Sequence, residues 1–117
     1  MKYVDGYLVA VPADKKDAYL EQATKAATVF KEFGALRVVE CWGDDVPRGK
    51  VTDFQGAVKA KDDEVVVFSW VEWASKEARD LGMKKVMEDP RMQPDRENTP
   101  FDGQRMIFGG FVPIVEK

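Results

Sequence analysis

The sequence predicts a ferredoxin-like α+β domain, a four-stranded antiparallel sheet built in the order βαββαβ. Two observations carry that expectation. Four short segments are rich in Val, Ile, Tyr, Phe and Trp, with apolar side chains that alternate or run on, which is strand composition. Two longer segments read as helices, one by the helical spacing of its apolar residues and one by its capping and stop residues, and they fall between the first and second and between the third and fourth of these. No repeat, low-complexity tract or linker divides the 117 residues, so one domain over residues 1–117 is expected.

Residues 2–11, KYVDGYLVAV, alternate and stop at Pro12, as a first strand would. In KKDAYLEQATKAATVFKEFG, Tyr19, Ala23, Ala26, Ala27, Phe30 and Phe33 recur at helical spacing. Asp14 stands near the start of that helix and Gly34 just past its end, where glycine is a common cap. Residues 35–42, ALRVVECW, read as a second strand and residues 64–73, EVVVFSWVEW, as a third. The stretch 43–63 between them is too long for a tight hairpin, and a short helical turn is expected around DFQGAVKA. Ser75 suits the N-cap of a second helix over KEARDLGMKKVMED, stopped by Pro90. Residues 91–102 read as loop. QRMIFGGFVPIV, 104–115, is the fourth strand, its glycine pair suggesting a bulge or a close backbone approach.

Composition removes several functions. A net charge of −3, with charges mixed along the chain, offers no basic stripe for nucleic acid. No apolar run approaches the roughly 20 residues that span a bilayer, and Asp5 stands where a signal peptide would be apolar, so a cytoplasmic protein with no membrane partner is expected. The one cysteine, Cys41, permits no internal disulfide and is expected to be a small buried thiol. With no histidine, Ser-His and Cys-His nucleophiles, proximal-His haem and most catalytic zinc sites are absent. No cofactor is expected. GDDVPRGKV superficially resembles a phosphate loop, but five residues separate Gly43 from Gly49-Lys50, and Val51 follows where Ser or Thr belongs. Pro47 lacks the N–H such a loop needs, and Asp44 and Asp45 repel phosphate. A structured turn is the reading.

Both faces of the sheet are apolar. In the third strand Val65, Val67, Val71 and Trp73 point opposite to Val66, Phe68 and Trp70. In the fourth, Met106, Phe108, Val112 and Ile114 oppose Ile107, Phe111 and Val115. Helices cover only one face of a ferredoxin-like unit, so the other needs a cover. A homodimer packed sheet to sheet is expected, with an added interaction partner as the lesser alternative.

Beyond these patterns, MKYVDGYLVAVP, KEFGALRVVECWGDDVPRGKVTDFQGAVKAKDDEVVVFSW, DPRM at 89–92 and PFDGQRMIFGGF at 100–111 together resemble the bacterial YbaA-like family, a domain family of unknown function, over nearly the whole chain. The resemblance implies the dimeric α+β barrel fold shared with the antibiotic-biosynthesis monooxygenases, and it implies no activity.

By analogy with that fold, an apolar ligand would sit between sheet and helices. Tyr3, Tyr7, Trp42, Trp70 and Phe108 are the aromatics that can line such a pocket, although strand aromatics are far more often plain core. Asp102, in the PFDGQR segment, is the polar candidate for ligand binding. Asp44, Asp45 and Asp53 can meet Asp102 around a hard cation, but the spacing matches no established metal loop. Turn capping, with Arg48, Lys50, Arg91 and Arg105 as ionic partners, is the plainer reading. Glu40 and Glu72 have apolar same-face neighbours, so desolvation would raise their pKa and suit them to base catalysis; pairing with Arg37 or Arg105, or exposure at a strand end, is the plainer reading. Arg105 is the remaining catalytic candidate. Two function classes follow: a small-molecule binding or modifying protein, monooxygenase-like in its sharper form, or a non-enzymatic dimeric interaction or stress-associated module.

Overall fold

The structure is a computed structural model that describes residues 2–93 and 99–117. The strands β1 (Tyr3–Pro12), β2 (Arg37–Trp42), β3 (Glu64–Trp73) and β4 (Ile107–Phe111) form one sheet in the order β2-β3-β1-β4. Every neighbouring pair is antiparallel. Helix α1 (Lys16–Glu32) joins β1 to β2, the short α2 (Phe54–Ala57) lies between β2 and β3, and α3 (Lys76–Glu88) follows β3. This is the ferredoxin-like βαββαβ topology of the α+β class. Part of the expected loop 91–102 lies outside the described residues.

The central pair carries the fold. β1 and β3 pair along their full lengths, Tyr3 opposite Trp73 and Pro12 opposite Glu64, and their odd-numbered side chains point at the helices. Trp73, Val9, Val11 and Val67 are fully buried there with Val29 of α1 and Val86 of α3. Burying a side chain of this kind stabilises a fold by about 1.5–3 kcal/mol. Gly82 lets α3 settle close, because a Cβ at that position would strike the Trp73 ring and the Phe33 carbonyl oxygen. The expected caps are present: the Ser75 hydroxyl accepts the Ala78 N–H at 3.0 Å, and Gly34 leaves α1 with φ +108°, a conformation that favours glycine.

Three expectations are corrected. β2 begins at Arg37, two residues late, because the Ala35 N–H turns back to the Phe30 carbonyl at the end of α1. β4 is five residues long. Gln104 and Arg105 belong to a 3-10 turn, and Val112, Ile114 and Val115 run past the last ladder pair, Val4 with Phe111, where Pro113 has no N–H to continue it. Cys41 is exposed, because β2 is an edge strand and Cys41 sits opposite Phe68 on the face away from the helices.

Candidate functional site

The helix-facing core is in two parts. One gathers Tyr3, Ala35, Val71 and Trp73 with Tyr7, Phe30, Val38 and Met83, so the Tyr7 ring packs on this part of the core; the other gathers Val9, Val11 and Val67 with Tyr19, Trp42, Phe101 and Met106. The sheet register explains the break. Glu40 lies opposite Ser69, Ser69 opposite Tyr7, and Tyr7 opposite Phe108, so one row crosses all four strands. At about 4.8 Å per strand, the row places a carboxyl, a hydroxyl, a phenol and a bare aromatic ring side by side on the helix-facing surface.

Hydrogen bonds tie the row to α1. The Tyr19 phenol donates to Glu40 Oε1 at 2.6 Å, and the Ser69 hydroxyl, opposite Glu40 in the register, favours the charged form of the same carboxyl. Desolvation beside α1 raises the Glu40 pKa, against the pull of these two hydroxyls, although on its edge strand the residue is itself exposed to solvent, which keeps the effect modest. Among the described residues Glu40 has no cationic partner: Arg37 stands 3.7 Å from Glu72, and Arg105 closes on Glu64 at 2.7 Å. Burial, reinforced by the Asp5 carboxylate, pushes the Tyr7 phenol up to about 12. Burial and the bond to Glu40 push Tyr19 up as well. Both phenols therefore stay protonated donors near neutrality, and the row's carboxyl, Glu40, is its candidate proton acceptor. At the far end Phe108 stacks on Tyr7, centroids 6.1 Å apart, yet remains 71% exposed, so the row opens to solution at the β4 edge.

A buried ion pair holds one side of this opening. Asp5 accepts Trp73 Nε1–H at 3.0 Å and Arg79 Nη2–H at 2.9 Å, and the guanidinium lies over the Tyr3 ring, 4.9 Å from its centroid. Gly110 faces the Tyr3 hydroxyl and the Arg79 guanidinium, leaving no room for a Cβ. Sequence reasoning missed Arg79 and Ser69, and it read Tyr19 only as part of a helical apolar face. The i, i+4 relation of Arg79 to Ser75 gives no hint of a partner in β1.

The opposite face of the sheet carries a shallow apolar concavity of about 670 Å³, walled by Val4, Leu8, Phe68, Trp70, Ile107 and Phe111. The Phe111 ring covers the cross-strand glycine pair Gly6 and Gly109, filling a gap that two missing side chains would leave. At one end Val58, Ala10 and Val66 bury one another, and Phe54 of α2 meets Phe68 edge-on at 6.2 Å. The middle of the face is bare, with Phe68 46% and Phe111 61% exposed. Glu72 lies at the rim of the concavity, accepting Trp70 Nε1–H at 3.0 Å.

The candidates from the sequence are thus distributed. Glu40, Tyr7 and Phe108 share the helix-side row, and Trp42 flanks it with Lys16 over its ring at 5.4 Å. Trp70 and Glu72 belong to the other face. Asp53 caps α2, accepting Gly56 N–H at 2.6 Å and Gly49 N–H at 3.2 Å; one of the backbone donors that a phosphate would need already faces a carboxylate. Asp102 accepts Gln104 N–H at 3.0 Å and Arg105 Nε–H at 3.1 Å. Arg105 also donates to the Lys59 carbonyl and, through both terminal nitrogens, to Glu64, which holds the Glu64 carboxyl down to about 2. Asp44 and Asp45 lie in the loop before α2, and no group of three or more Cys, Asp or Glu able to hold a metal stands together among the described residues.

Residues 2–103 match the family model described as a protein of unknown function, DUF1428. The chain belongs to the DUF1428 family. The uncharacterized protein YbaA of Escherichia coli K12 is 66% identical over 117 residues, covering all of both chains, and YbaA of Shigella flexneri is equally similar. Among solved structures, the DUF1428 chain resembles an uncharacterized NIPSNAP domain protein from Burkholderia xenovorans at TM-score 0.60 and 17% identity, covering 95% of this chain and 93% of that one. It also resembles a mutant form of SnoaB, a cofactor-independent oxygenase from Streptomyces nogalater, at TM-score 0.51 and 13% identity over 98% and 95% of the two chains. Similarity at that level shows the fold alone, a ferredoxin-like α+β sheet with its helices. No helix among the described residues is long and apolar enough to cross a membrane.

Proposed function

We propose that the chain is a homodimeric cytoplasmic protein that binds a small apolar or aromatic molecule between its sheet and its helices, against the row Glu40–Ser69–Tyr7. The observation that carries this reading is the break in the helix-facing core: a polar row, open at the β4 edge, stands where a purely structural sheet would continue its Val and Trp packing. Trp42, Phe101, Met106 and Phe108 supply apolar walls, and a few convergent polar groups among such walls are the usual makeup of a small-molecule site. Glu40, without a cation among the described residues, would take a proton from an acidic O–H or C–H of the ligand, while the neutral phenol of Tyr7 would donate a hydrogen bond to the anion that forms and Tyr19 would hold the Glu40 carboxyl in place. Monooxygenase-like chemistry, of the kind the Streptomyces neighbour's description names, is the specific enzymatic form of this reading. The homodimer rests on the bare apolar face, and the reducing cytoplasm suits a chain whose single cysteine is exposed and free.

The test is amide chemical-shift mapping with a panel of naphthols and hydroxyquinones. The expected result is saturable shifts at Tyr7, Glu40 and Ser69, with affinity falling at least tenfold in Glu40→Gln. Shifts confined to residues 68–70 and 107–111, or none with any compound, would overturn the reading. The second outcome would favour the alternative, a non-enzymatic dimeric interaction module, which the exposed Phe68 and Phe111 support.

A further inference from the structure

The chain leaves two apolar surfaces uncovered, and they adjoin. One is the open sheet face around Phe68, Trp70 and Phe111. The other is the segment after β4, VPIVEK in sequence, where Ile114 is 94% and Val115 75% exposed. That segment leaves the sheet at Phe111, which is itself part of the concavity wall. Pro113 prevents it from extending the antiparallel ladder on its own β1. It is tied back to the body by an exposed ion pair between Lys2 and Glu116 at 3.1 Å, a contact that contributes little. Two apolar side chains standing in water beyond a strand end have no reason in a single copy.

We infer that residues 112–117 form an arm that docks on the open sheet face of a second copy of this chain. The inference rests on the homodimer reading. Two facts favour a second copy as the occupant. Six residues in extended form reach roughly 20 Å, about four strand spacings, enough to cross a four-stranded face. The arm also starts at the rim of the surface it would cover, so in a two-fold pair each arm can pass directly onto the partner's face, with no intervening loop to span. The side chains Ile114 and Val115 would then fill space beside Trp70 and on the side of Phe68 away from Phe54, between α2 and the β4 edge.

The experiment uses the whole chain with Lys117→Cys, and Cys41→Ser to free a single thiol, carrying a nitroxide. This is mixed with isotopically labelled, unmodified chain. Broadening of the labelled chain's amides near Phe68 and Trp70 is expected, as broadening there must come from a partner's arm. In parallel, a chain ending at Phe111 should dimerise at least tenfold more weakly by sedimentation while keeping its melting transition; if it fails to fold, Ile114→Asp in the full chain serves instead. A full chain that is monomeric at micromolar concentration removes both the dimer reading and the arm. A full chain that dimerises, with no broadening on the sheet face and unchanged affinity after the deletion, overturns the arm alone.

Discussion

At Glu40 a carboxyl accepts the Tyr19 hydroxyl yet has its pKa raised, because desolvation beside α1 outweighs the neighbouring hydroxyls even at an exposed edge-strand position. A carboxyl whose folded pKa exceeds its unfolded value favours the folded state when protonated, so its stabilising contribution is complete below the unfolded pKa of about 4.3 and is lost as pH rises through the folded value. Glu40→Gln keeps an oxygen for Tyr19 and cannot ionise. Thermal melts should therefore show the variant gaining on the wild type between pH 4 and pH 7, by an amount kept small by the residue's solvent access. A difference constant over that range would remove Glu40 as the titrating member of the row. The sequence made the carboxyl visible, because Glu40 has apolar neighbours two residues away on either side. It hid the Tyr19 partner, since a contact across 21 residues depends on how α1 settles on the sheet and leaves no mark in local spacing. For the same reason Arg105, read from sequence as an active-site candidate, turns out tied to Glu64 41 residues away.

At the scale of elements, α3 is set by what it lacks. Gly82 faces the Trp73 ring and the Phe33 carbonyl oxygen at distances no Cβ can share. Alanine at a helix interior gains about 1 kcal/mol in propensity over glycine, but overpacking against a fully buried indole and a backbone oxygen costs about 1–3 kcal/mol. Gly82→Ala is therefore expected to destabilise the protein by about 1–2 kcal/mol net in urea unfolding, the upper part of that balance, because the backbone oxygen cannot turn aside as a side chain could. A stabilised variant would mean that α3 can lift from the sheet without loss. The helix itself was legible from Ser75 and Pro90, which bracket it. So was β3, whose composition fixes both its ends. β4 was not, because FVPIV has strand composition while the chain ends the ladder at Phe111. What decides there is the position of Pro113 relative to β1's first paired residue, a tertiary matter that composition does not carry.

For the whole molecule the deciding fact is a sheet with two apolar faces, one covered by α1 and α3 and the other only at one end, by the short α2. That count was available from strands alone, since alternate side chains of residues 64–73 are apolar in both directions, and the structure places Phe68, Trp70, Ile107 and Phe111 together on the bare side. A stable dimer requires roughly 800 Å² buried on each partner, an area that a four-stranded face supplemented by an arm from the opposite chain would offer. Phe68 stands near the middle of that face, edge-on to Trp70 at 5.7 Å, and is itself exposed, so replacing it leaves the helix-side core untouched. Phe68→Glu would set a charge on each side of the two-fold contact, unpaired and desolvated, and such a pair opposes association by several kcal/mol. Sedimentation should then find the wild type dimeric and the variant monomeric at micromolar concentration. The wild-type melting temperature should rise with protein concentration while the variant's stays fixed, because only an assembly that dissociates on unfolding obeys mass action. A variant that remained dimeric would move the interface away from the sheet face, to the groove between α1 and β2 around Thr28 and Leu36, and would leave Phe68 and Phe111 free to meet a different partner.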